Sequence, residues 1–93
     1  MILSFKSKET ERIWQGHTSR KFRADIQDRA LRKLRQLDAS RMVGDLRNPP
    51  GNRLEALKGE RTGQMSIRIN DEWRICFRWV GHDAHDVEIV DYH

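Results

Sequence analysis

The segment Asn48-Pro49-Pro50-Gly51-Asn52 splits this sequence into two parts with different hydrophobic periods. Proline fixes φ and lacks an amide hydrogen, while glycine and asparagine favour turns, so no helix or strand runs through such a stretch. Before it, apolar residues recur at spacings of three and four. After it, they recur at every second position. Helices followed by strands that are joined through short turns make an α+β chain, with the helices packed on a small antiparallel sheet.

The helical part reads as follows. Residues 8–15 form a first helix with Ile13 and Trp14 inward and Gly16 as its stop. Ser19 has the chemistry of an N-cap, and residues 20–37 carry Phe22, Ile26, Ala30, Leu34 and Leu37 on one face. Arg23, Arg29, Arg32, Lys33 and Arg35 fall mostly on the other face. Asp25–Arg29 and Asp28–Arg32 are spaced to pair along it. Residues 38–46 predict a shorter helical segment with Met42, Val43 and Leu46 inward. Ile2, Leu3 and Phe5 suggest a short strand ahead of all this.

In the second part Leu54 and Ala56 alternate with Glu55 and Leu57, and a turn follows over residues 58–63. Met65, Ile67 and Ile69, then Trp73, Ile75, Phe77 and Trp79, predict two strands around an Asn70-Asp71 turn. Val87 and Ile89 mark another strand after Gly81-His82-Asp83. The apolar face of this sheet is expected to cover the long helix. The opposite face collects Arg68, Arg74 and Arg78.

Ninety-three residues allow one domain, spanning 1–93, with a modest core. Three tryptophans and 37% hydrophobic residues argue against disorder despite 34% charged residues. No apolar run reaches the roughly 20 residues of a membrane span, and the first residues do not read as a secretion signal. One cysteine excludes an internal disulfide and suits a reducing compartment. Four scattered histidines and that cysteine do not make a structural zinc site, and no cofactor is expected. The charge is uneven: residues 1–50 hold twelve basic and six acidic residues, and residues 51–93 hold six and eight. A basic half of this kind suits nucleic acid or an acidic protein, or is simply a solvated helix face.

Chemistry is concentrated in three places. On the sheet, arginines on neighbouring strands stand about 5 Å apart and repel unless an anion lies between them. A phosphate binds such a cluster through the guanidinium forks; alternatively Glu55, Asp86 and Glu88 neutralise it. The closing Asp91-Tyr92-His93 brings an imidazole that exchanges protons near neutral pH beside an aromatic hydroxyl; alternatively it is a frayed tail. Lys58 enters a turn beside Gly59, where backbone approaches a ligand closely, or where a turn is simply exposed. Proton acceptor, proton donor and charge stabilisation suffice for metal-free RNA cleavage. His82 and His85 read as a surface turn, and Cys76 as packing rather than a nucleophile.

Taken together, Ile13-Trp14-Gln15-Gly16, Pro49-Pro50-Gly51-Asn52-Arg53-Leu54-Glu55, Leu57-Lys58-Gly59, Ser66-Ile67-Arg68-Ile69-Asn70, Trp73-Arg74-Ile75-Cys76-Phe77 and Asp91-Tyr92-His93 closely resemble the HigB-type toxins, plasmid-maintenance killer proteins of the RelE superfamily. The resemblance covers essentially the whole chain and rests on the combination of pieces. It implies a RelE-like, microbial-RNase-like fold and a toxin of a type II toxin–antitoxin pair. It also implies endonucleolytic cleavage of mRNA on the ribosome, in the bacterial cytoplasm. A HigA-type helix-turn-helix antitoxin is the implied partner, and operator DNA is met only through that complex. Residue by residue, Lys58 matches a cation near the scissile phosphate and Arg74 an arginine that stabilises it. Asp91, Tyr92 and His93 match the terminal motif, with His93 the proton-transfer group and Tyr92 able to stack on a base. Arg53, Arg61, Arg68 and Arg78 are the expected RNA contacts. Glu55 stands where some members carry histidine, so a two-histidine scheme is not available here. Two alternatives remain within the resemblance: a non-nucleolytic toxin of the same fold that inhibits gyrase as ParE-type proteins do, and an inactive antitoxin-binding member.

Overall fold

The computed structural model describes residues 1–91. Two helices, α1 (Lys8–Trp14) and α2 (Ala24–Ala39), precede a four-stranded sheet of β1 (Glu55–Ala56), β2 (Met65–Arg68), β3 (Trp73–Val80) and β4 (Asp83–Asp91). The strands lie in sequence order and every neighbouring pair is antiparallel. Three single 3₁₀ turns, Val43–Arg47, Pro50–Asn52 and Gly59–Arg61, fill the connections.

Ser7 caps α1 by accepting from the Thr10 amide at 3.3 Å, and Gly16 ends it in the left-handed region with φ 86°. Ile26, Ala30, Leu34 and Leu37 are the buried stripe of α2. They meet Ile67, Ile75, Phe77, Val87 and Ile89 from the sheet to form the core. Leu34 is wholly enclosed, so truncating it to alanine should cost about 2–5 kcal/mol. Phe22 closes one end of the core, edge-on to Trp73 with ring centres 5.0 Å apart.

The helix begins at Ala24, four residues later than the apolar spacing implies, and Ser19 is not its cap. Ser19 is buried instead in the preceding loop. Its hydroxyl donates to Glu9 and accepts from the Lys21 amide, and its backbone exchanges hydrogen bonds with the Gln27 amide group. Those bonds hold residues 19–22 out of helical geometry while leaving Phe22 in the core. The second helical segment expected at 38–46 is also different. Asp38 and Ala39 are the last residues of α2, with Asp38 accepting from the Ile2 amide at 2.8 Å, and beyond them only Val43–Arg47 turns, as 3₁₀. Met42 is exposed rather than inward.

The N-terminal segment contributes two isolated parallel bridges, Ile2 to Ala84 and Phe5 to Val87, rather than a strand. They lie along the outer edge of β4 and satisfy amides there, which blunts that edge. Opposite Cys76–Arg78 of β3 the β4 strand carries an extra residue. Asp86 sits there at φ 54°, a left-handed position that aspartate tolerates.

Candidate active site

The sheet face turned away from the helices is built in rows. Glu55, Ser66, Cys76 and Glu88 stand side by side across all four strands, and Arg68, Arg74 and Val90 form the next row. Arg68 and Arg74 are therefore direct cross-strand partners, a pairing that destabilises a sheet unless each charge is satisfied elsewhere. The two side chains part. Arg74 turns along the sheet: its Nε donates to Ser66 Oγ at 2.8 Å, its Nη2 donates to the Arg53 carbonyl at 2.7 Å, and Glu55 lies 3.6 Å away. Its side chain is 8% exposed, so this part of the arginine face is enclosed and not open as the alternation alone suggests. Arg68 turns toward the β2–β3 turn, donating from Nε to the Asn70 carbonyl at 3.1 Å and from Nη2 to the Asp71 carboxylate.

The carbonyl that holds Arg74 is placed by the proline-rich break. Arg53 follows the Pro50–Asn52 turn at φ 46° and ψ 55°. Asn52 is completely buried, and its Nδ2 donates to the carbonyls of Leu46 and Asn48 and to Gln36 Oε1 of α2, while its Oδ1 accepts from Lys33. The break is thus a buried hydrogen-bonded hub that presents Arg53 to the sheet, and such hubs are costly to leave half-satisfied.

Arg53, Arg68, Asn70, Asp71 and Arg74 line a cleft of about 250 Å³. Arg53 also lines the adjoining cleft of about 530 Å³, with Arg47, Glu55 and Met65 among its walls. Three guanidinium groups at one concavity, one of them fixed by buried hydrogen bonds, have the chemistry to bind a phosphate and charge that develops on it. Glu55, at the mouth of this arrangement, adds a carboxylate able to accept a proton.

The other expected site residues are spread around this cleft. Lys58 is exposed at the entry to the Gly59–Arg61 turn. Arg61 folds back across the sheet onto Glu88 at 2.9 Å and Gln64 at 3.0 Å; the Glu88 bond holds its guanidinium protonated above the ordinary arginine range. Arg78 lies beyond Cys76, next to the bulge, 3.7 Å from Asp86. So the three acids weighed as neutralisers do sit on arginines: Glu55 on Arg74, Glu88 on Arg61 and Asp86 on Arg78. Asp91 ends β4 opposite Trp73 and is exposed. Tyr92 and His93 lie outside the described residues. Cys76 is buried within the Glu55–Glu88 row; burial pushes its thiol up, the first reason it stays protonated and inert.

A family model described as the RelE-like toxin of type II toxin–antitoxin system HigB matches residues 3–93. The chain belongs to the HigB family of RelE-like toxins. Toxin HigB-1 of Vibrio cholerae is 42% identical over 81 residues, 86% of this chain and 85% of that protein. Endoribonuclease HigB of Proteus vulgaris is 33% identical over 93 residues, the full length of both. A solved YoeB/ParE toxin from Agrobacterium tumefaciens superposes with a TM-score of 0.58, covering 99% of this chain and 98% of that one at 18% identity. That likeness is one of fold, and it is the RelE-like fold expected from the motifs. As a type II toxin, this HigB-family chain has an antitoxin partner. No helix among the described residues is long and apolar enough to cross a membrane.

Ser66, Asn52 and the Asn70-Asp71 turn shape this cleft of the HigB-family chain without standing out in the sequence. Ser66 shares the sheet parity of Arg68, and that parity was the available signal. Asn52 lay inside a segment whose composition says only that structure breaks there. Asn70 reads as a turn residue, and it is one: its Oδ1 accepts from the Glu72 and Trp73 amides, while its carbonyl holds Arg68.

Proposed function

We propose that this HigB-family toxin is an endoribonuclease that cuts mRNA on the ribosome, with the scissile phosphate bound at the Arg53–Arg68–Arg74 cleft. The observation that carries the reading is Arg74: a buried guanidinium, locked by Ser66 and the Arg53 carbonyl, facing a cleft with two further arginines. A relative named an endoribonuclease and aligned over its full length supports it. Cleavage is metal-free acid–base chemistry. A base takes the 2′-hydroxyl proton, the 2′-oxygen attacks phosphorus, and the bond to the 5′-oxygen breaks as that oxygen receives a proton. The products are a 2′,3′-cyclic phosphate and a 5′-hydroxyl.

His93 is the principal proton-transfer group, with Asp91 and Tyr92 of the same motif orienting it or the base. Lys58 and Glu55 assist at the phosphate and at the proton, respectively. Arg74 stabilises charge on the phosphate, where a fixed donor acts without reorganising. Arg61 and Arg78 contribute to the field along the RNA. The antitoxin is of HigA type and the site of action is the bacterial cytoplasm.

Induction of the chain alone in bacteria, followed by primer extension on an abundant message, tests the reading. New 5′ ends within translated codons, lost in Arg74→Ala and in His93→Ala, are expected. Undiminished cleavage by both folded variants overturns the site. Growth arrest with intact messages overturns the nuclease and points to a binding toxin.

A further inference from the structure

A second concentration of positive charge lies outside the sheet cleft. Arg29, Arg32, Lys33 and Gln36 of α2 form, with Pro49, a groove of about 320 Å³. The three cations fall at successive i, i+3 and i+4 positions of one helix face. Arg29 and Arg32 are exposed, and among the described residues neither takes an ion pair. The spacing-based pairs Asp25–Arg29 and Asp28–Arg32 do not form; Asp25 lies 3.4 Å from Arg23 instead. Lys33 is half-buried, and burial first, then Arg29 and Arg32, lowers its pKa. Like charges gathered in a concavity, with no ion pair to Arg29 or Arg32 among the described residues, attract an anion.

One loop contributes residues to the walls of this groove and of the arginine cleft. Arg53 lines that cleft and the one adjoining it; Pro50 lines the adjoining one; Pro49 lines the α2 groove. The loop of residues 48–53 is the common wall. It is pinned to α2 by Lys33 and Gln36, which bond Asn52, and tied to the sheet by the Arg53 carbonyl on Arg74.

We propose that the Arg29–Arg32–Lys33 groove is a second phosphate site, taking backbone phosphates of the same RNA strand whose scissile bond lies in the arginine cleft. The strand then runs around the 48–53 loop from sheet to helix. This inference rests on the RNA-cleaving reading above. Contacts of this kind read the backbone, not the bases, so the groove adds affinity and positions the strand without adding sequence preference. A phosphate between Lys33 and its arginine neighbours also relieves their mutual repulsion.

The experiment is binding of 2′-O-methyl RNA, which cannot be cut, to the full chain over a range of salt. Two lengths are used, about three nucleotides and about twelve, so that only the longer reaches beyond one cleft. For Arg29→Gln with Arg32→Gln, the twelve-nucleotide strand should bind about tenfold more weakly, with a salt slope shallower by about 1.4. Affinity for the three-nucleotide strand should be unchanged. Arg35→Gln, on α2 but outside the groove, should leave both unchanged. Equal affinity of the double variant and the native chain for the longer strand overturns the proposal. So does failure of the native chain to bind it at low salt. Unchanged RNA binding with lost antitoxin binding overturns it in favour of an acidic protein partner. The cleavage reading fails separately, by growth arrest with intact messages, whereas a length-dependent loss through Arg29 and Arg32 supports the track whatever happens to cleavage.

Discussion

The two cationic regions of this molecule are built in opposite ways. In the sheet cleft Arg74 is enclosed and spends its donors on Ser66 and the Arg53 carbonyl beside the Glu55 carboxylate, and Arg68 is held by the Asn70-Asp71 turn. In the α2 groove Arg29 and Arg32 reach solvent without ion pairs among the described residues. A fixed guanidinium suits a reacting phosphate, because its orientation is already set when charge develops. A solvated one suits a phosphate that only has to be followed, because a mobile side chain accommodates many strand positions. The same residue type thus serves two ends, and the difference lies in what holds it.

Replacing Arg74 breaks the comparison most severely. Arg74→Ala should lower cleavage by about 10²–10³-fold. Arg74→Lys should recover little, since an ammonium does not reproduce the fork that spans Ser66 and Arg53. A variant that is folded by circular dichroism and cleaves normally would show that the buried arginine is structural only.

Asn52 joins the two regions, so its loss should be felt in both. Asn52→Ala strips partners from buried groups and should cost about 1–3 kcal/mol in urea unfolding. Cleavage should fall with it, through the displaced Arg53 carbonyl. A stability change below about 0.5 kcal/mol would mean that the loop is held by its prolines alone.

Cys76 tests how sealed the polar face is. Its folded pKa is raised, so at alkaline pH the unfolded chain loses the thiol proton first and binds fewer protons than the native one. Stability should therefore be unaffected by this group below the ordinary thiol range. It should decline by up to about 1.4 kcal/mol per pH unit from there toward the folded value. Cys76→Ala should flatten that alkaline slope, whatever its effect at neutral pH. An unchanged slope would show that solvent reaches the row.

The smallest effect belongs to the helix groove. Arg29→Gln and Arg32→Gln should change folding stability by no more than about 0.5 kcal/mol, because among the described residues neither side chain takes an ion pair. A larger loss would give these arginines a structural role and bring the two regions closer in kind.

Much of this organisation was legible in the residues. The switch of period at the Pro-Pro-Gly break located the helices and strands, since amphipathic faces must match the geometry of the element that buries them. Alternation placed Arg68, Arg74 and Arg78 on one face, and the motifs that pointed to a HigB-type toxin were spread over the whole chain. Ser19 and residues 38–46 went otherwise because side-chain hydrogen bonds, of Gln27 with the Ser19 backbone and of the Arg41 and Met42 amides to Asp45, outweighed local helix preference.

The order of residues carries the period of each segment, the place of the break and the family. Which arginines are locked and which are loose emerges only in the folded core. Cross-strand register set Arg74 beside Ser66 and within reach of Glu55. A buried asparagine between α2 and the sheet brought the Arg53 carbonyl onto Arg74 across 21 residues. Periodicity reports which side of an element a residue occupies. Register, bulges and buried hydrogen bonds between distant segments fix what it meets there, and those are set only when the whole core has closed.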